Sequence, residues 1–165
     1  MKWQLVFIIV GIAFWQNTIS QQSSAAETLE GILHTLSGAL NLAKNLPRTV
    51  DSLRQSQRAQ DADLVREITD VVLSTLNATS IAIGNLAASA DVSGDSVKMN
   101  AIADIQSAEQ SLALPVVQLQ HALQEVSAKG MTQALSIRLE LIEKTLREST
   151  VQVQAEVAKA DRVKF

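Results

Sequence analysis

Along most of the chain apolar residues return every three or four positions, the period of a helix buried on one side. Between residues 24 and 47, Leu29, Leu33, Leu36, Leu40 and Ala43 share one narrow arc at about 100° per residue. Ser24, with Glu27 three residues on, makes a capping box at the start of that segment. Pro47 disfavours helical geometry at Leu46 and predicts a stop there. Residues 48–60 are polar and admit two readings, a short helix around Val50 and Leu53 or the front of the next helix. From Asp61 a second long segment places Leu64, Ile68, Val71, Val72, Thr75, Thr79, Ala82 and Leu86 on one face. It runs out in AASADVSGDS, where Gly94-Asp95 signals a turn.

The third segment covers about residues 96–129. Ile102, Ile105, Leu112, Val116, Leu119, Leu123 and Val126 follow spacings of three and four, with Glu109 in the one polar slot. That is a heptad seam. Pro115 lies inside it and removes one backbone hydrogen bond, but the register holds on both sides, which predicts a bend and not a break. Gly130 is placed to end the helix. A fourth segment, from Thr132 as N-cap to about Arg162, carries Leu135, Leu139, Ile142, Leu146, Val153 and Val157 on one arc. Strand-type alternation is nowhere sustained. The pattern predicts an all-α, antiparallel up-and-down bundle of four long amphipathic helices, with a short fifth helix at 48–60 left open.

The N-terminal stretch KWQLVFIIVGIAFWQNTIS stands apart. Its apolar run, Leu5 to Trp15, is well short of the roughly 20 residues that span a bilayer. One positive charge, Lys2, precedes that run, and Thr18 and Ser20 follow as small residues. This is the pattern of a secretory signal cut after Ser20. The expected organisation is therefore a signal peptide at 1–20, a single helical-bundle domain at 21–165, secretion, and no transmembrane anchor. Lys2 leaves with the leader, taking the 14 basic residues to 13 against 17 acidic. The leader also removes four of the five aromatics, Trp3, Phe7, Phe14 and Trp15. A mildly acidic domain with no Trp or Tyr on which bases could stack offers nothing to nucleic acid. It has no cysteine, so burial alone must hold it together.

Once the main seams are assigned to a shared core, some apolar residues are left over. They are Leu76 and Ile83 in the second long segment, Leu114 and Val117 beside Pro115, and Ile137, Leu141 and Val151 in the last. Contiguous exposed apolar area usually marks an interaction site. These residues are thus the candidate contacts for lipid or another hydrophobic surface, or for a second subunit joined as in a coiled coil. A core of Leu, Ile, Val and Ala, interrupted by Glu109 and threonines, should be loosely specified. Amphipathic helices so packed can exchange helix–helix for helix–lipid contact, since one stripe satisfies both.

The stretches AETLEGILHTLSGALNLAKNL and QSLALPVVQLQHALQEVSAK, in a cysteine-free chain behind a short signal, resemble apolipophorin-III-type haemolymph proteins. The resemblance implies a five-helix bundle that opens onto lipid surfaces. The chain is also similar, more weakly, to fungal hydrophobic-surface-binding proteins.

Asn77-Ala78-Thr79 is a sequon for N-glycosylation, which would make a secreted chain a glycoprotein at Asn77. His34 and His121 lie off the apolar arcs. Glu30 and His34, with Glu27 one turn earlier, offer at most a surface metal site, and no metal or other cofactor is expected. Neither Glu-x-x-His on paired helices nor His-Glu-x-x-His occurs. No Gly-x-Ser-x-Gly elbow and no phosphate-binding glycine loop is present either. A non-enzymatic protein is expected. A charged band, Glu140, Glu143, Lys144, Arg147 and Glu148, reads as a solvated face of the last helix.

Overall fold

The computed structural model describes residues 25–163, and all the regular structure among them is helical. The elements are α1 (Ala25–Ala43), α2 (Leu46–Ser56), α3 (Ala59–Ala87), the single turn α4 (Ala90–Ser93), α5 (Ser96–Lys129) and α6 (Gln133–Ala160). The leader, its cleavage site and Ser24 of the capping box lie outside the described residues.

The short fifth helix is separate, and Pro47 begins it. Pro47 sits in the first turn of α2, where a missing N–H costs nothing. The stop falls slightly earlier, in a turn at Lys44 and Asn45. At 11 residues α2 is too short to persist alone. Three large side chains hold it, Leu46, Val50 and Leu53, each fully buried.

The remaining boundaries have local causes. Asp95 caps α5, its carboxylate accepting from the N–H groups of Val97 at 2.9 Å and Lys98 at 3.2 Å. Gly130 closes that helix at φ 77°, a geometry that favours glycine, while its N–H reaches the Val126 carbonyl. Thr132 then caps α6 through Leu135 N–H at 3.2 Å.

Cross-helix contacts give the topology. Asp70 on α3 accepts from Gln120 on α5 at 2.7 Å, and Thr79 meets Glu109, so position falls on one helix as it rises on the other. Likewise Arg138 of α6 donates to Glu125 of α5 at 2.6 Å, and Ser149 to the Ser111 carbonyl at 3.0 Å. Helices α3, α5 and α6 therefore run alternately up and down. Helix α1 packs along α3 and α6, and α2 closes against α6 and α3.

The seams of α1, α5 and α6 are those the period predicts, with Val157 only partly buried. The seam of α3 follows the period in part: Val72, Thr75, Thr79, Ala82 and Leu86 are buried as expected, and Ile68 and Val71 partly so. The buried face also takes in Ala62, Val65, Thr69, Leu76 and Ile83. Leu64, expected inside, is 48% exposed. Two of the buried threonines show how a hydroxyl is accommodated on this face. The Thr69 hydroxyl donates to the Val65 carbonyl at 2.7 Å, and that of Thr79 reaches the Thr75 carbonyl at 3.1 Å. Each can then sit in an apolar row as a β-branched spacer.

Helix α5 continues through Pro115, which is itself buried. Without an N–H, Pro115 cannot bond the carbonyl four residues back, which belongs to Ser111. The Ser149 hydroxyl from α6 donates to that carbonyl instead. The helix interruption is thus repaired by its neighbour.

Candidate functional site

Five of the seven leftover apolar residues are on the surface. Leu114 is 61% exposed and Val117 38% on α5, while Ile137, Leu141 and Val151 on α6 are 62, 66 and 67% exposed. Leu76 and Ile83 are not surface residues: both lie in the core row of α3. Helix α3 is covered by α1 on one side and α5 on another, so its buried arc is wider and rotated from the one first drawn. Leu64 and Ile81 take their place as exposed aliphatics of α3, and Val97 and Met99 add two more at the start of α5. Solvent exposure of Leu64 was hidden because Val65 beside it matches the helical period equally well.

The exposed residues sit on rigid supports. Leu114 and Val117, three apart, occupy the outside of α5 directly over the buried Pro115 and Val116. Ile137 and Leu141, four apart, lie on the outside of α6, opposite the buried row that begins with Leu135 and Leu139. The arrangement offers apolar contact area.

One polar feature lies inside. Glu109 is only 1% exposed, in the α5 seam. Thr79 hydrogen-bonds its Oε1, and Oε2 is buried without a partner. Burial pushes the carboxyl up to about 7, and the Thr79 hydroxyl holds it back only in part. Residues 71–87, the part of α3 it faces, contain no charged side chain. The Thr79 hydroxyl has one proton and three nearby acceptors: Glu109 Oε1 and the carbonyls of Thr75 and Leu76. A neutral Glu109 can donate to Thr79 and leave that proton for the backbone; an ionised one competes for it.

Asn77 is exposed on the outside of α3, while Thr79 of the same sequon is buried. His34 and His121 are both exposed. No group of three or more metal-ligating side chains occurs among the described residues, and none of their helices is long and apolar enough to cross a membrane.

Comparison of the chain with protein-family models, with curated proteins and with solved structures finds no match in any of the three.

Proposed function

We propose that this is a secreted, non-enzymatic helical-bundle protein that binds lipid or another hydrophobic surface through the apolar faces of its helices. The observation that carries the reading is the outward aliphatic pair Leu114 and Val117 on α5, left uncovered by a bundle whose core is otherwise closed. Large aliphatics left on the outside of rigid helices mark interaction surfaces. The core supplies the means of enlarging that surface. Among the described residues it is built mainly from Leu, Ile, Val, Ala and Thr. Helices so packed can part and lay the same rows on a lipid interface, because the buried stripe is apolar wherever it goes.

The test is flotation with phosphatidylcholine vesicles, with far-UV circular dichroism alongside. The protein should float with the vesicles. The double variant Leu114→Asp with Val117→Asp should float several-fold less while keeping its lipid-free helicity. Wild-type protein that stays at the bottom of the gradient ends this reading. The exposed Asn77 fits a glycan acceptor in an exported chain; a mass decrease of the secreted protein on treatment with N-glycosidase checks that part.

A further inference from the structure

The outer face of α6 carries a second heptad row, separate from the buried one. Ile137, Leu141, Lys144, Glu148, Val151 and Ala155 follow spacings of four, three, four, three and four, and every one of them is exposed. Such a row stays on one face for its whole length, about 27 Å of helix. The charges within it are distinctive. Around them on α6, Arg138 pairs with Glu125, Glu140 and Glu143 with Arg54, Arg147 with Glu143, and Lys159 with Glu156. Lys144 and Glu148, the two in the centre of the row, have no ion-pair partner among the described residues.

We infer that this row is a dimerisation seam and that its occupant is the same row of a second copy of this chain, running antiparallel. Charge complementarity sets both direction and register. With Lys144 set opposite Glu148 of the second copy, Glu148 of the first meets Lys144 of the second. The same register places Leu141 opposite Val151 and Ile137 opposite Ala155, on both sides of the dyad. On one flank the two Arg147 side chains approach each other across the dyad, each already paired with Glu143 of its own helix, and on the other Thr145 meets Thr145. A parallel pair would set Lys144 on Lys144 and Glu148 on Glu148. An antiparallel pair slipped by one turn, with Ile137 opposite Val151, would again set Lys144 on itself and put Glu140 on Glu148. Like charges in direct opposition disfavour both.

A lipid surface fits this row poorly. Its middle is a Lys and a Glu, which would be pressed into the acyl boundary where only the edges of a stripe should be charged. The dimer seam is therefore independent of the lipid reading, which retains Leu114 and Val117 on α5.

The experiment is sedimentation equilibrium of the full secreted chain, lipid-free, over a concentration series, with charge variants and engineered cysteines. Wild type should dimerise reversibly. Lys144→Glu and Glu148→Lys should each raise the dissociation constant about tenfold or more with helicity unchanged. The double variant carrying both changes should restore it, and so should mixing the two single variants. The chain has no cysteine of its own, so single cysteines report direction cleanly. A mixture of Leu141→Cys and Val151→Cys proteins should form the mixed disulfide under mild oxidation. Leu141→Cys alone should not, since antiparallel pairing holds the two copies of that position about 15 Å apart. A wild type that stays monomeric, a dimer that Lys144→Glu leaves intact, or a Leu141→Cys homodisulfide each overturns the seam. A monomer that still floats with vesicles overturns it and spares the lipid reading; a charge-sensitive dimer that never floats does the reverse.

Discussion

Glu109 is the residue whose environment departs furthest from its chemistry. Unfolded, its carboxyl titrates near 4.5; folded, near 7. Below pH 4.5 both states hold the proton and stability is at its fullest for this group. Between 4.5 and 7 the unfolded chain releases the proton first, so stability falls as pH rises. Above 7 the loss levels off at about 3 kcal/mol. Chemical denaturation of wild type at pH 5 and pH 8 should show that decline, and Glu109→Gln should flatten it and be the more stable protein at pH 8. Equal slopes for the two proteins would show that Glu109 does not titrate in this window. Ser149 provides a second residue-scale case. Its removal leaves the Ser111 carbonyl without a donor, so Ser149→Ala should cost about 1–3 kcal/mol. In a Pro115→Ala background the backbone N–H returns and the same change should cost distinctly less, a coupling that a double-mutant cycle measures.

At the scale of elements, α2 is the piece held on from outside. Its side of the contact is Leu46, Val50 and Leu53, and its rim is Arg54, which reaches Glu140 at 2.9 Å, Glu143 at 3.5 Å and Ser136 at 3.3 Å. The two parts differ in worth. Leu53→Ala should cost about 2–5 kcal/mol. Arg54→Ala should cost only about 1 kcal/mol, and less in high salt, since partly exposed pairs are weak and screened. Urea melts of the two variants at low and high salt would separate the contributions. Hydrogen exchange should show the amides of α2 opening before those of α5 and α6, because an 11-residue helix has little stability apart from its contacts.

For the whole molecule, the α3–α5 joint and the proposed lipid surface belong to one balance. Glu109 and Thr79 sit where α3 meets α5, so ionising Glu109 weakens the contact that must part if the bundle opens. Vesicle uptake should accelerate as pH rises from 5 to 8, and Glu109→Gln should remove most of that acceleration. Stopped-flow light scattering of vesicles mixed with protein at the two pH values would show it. A Glu109→Gln protein with an unchanged pH response would place the opening elsewhere.

How much was legible in the sequence follows from what a helical period can carry. The all-α class, the span of the four long helices, the turn at Gly94-Asp95, the helix ends at Gly130 and Thr132, and the buried rows of α1, α5 and α6 all rest on local spacing and turn chemistry. These act over a few residues and are written in the chain. The face of α3 was legible only in part, because Leu64 and Val65 satisfy the period alike and the width of the buried arc is not written in spacing. With α1 and α5 lying on either side, Val65 is buried in place of Leu64 and Leu76 joins Thr75 inside, and only the packed bundle decides it. The same holds for Glu109. Its place in the seam was visible, yet its isolation opposite an uncharged length of α3 required the antiparallel register. The candidate surface divides on the same line: exposure of Leu114, Val117, Ile137, Leu141 and Val151, and burial of Leu76 and Ile83, are properties of neighbours and not of spacing. Sequence determines which side chains are apolar and at what period they recur; tertiary structure alone decides which apolar rows find a partner within the chain.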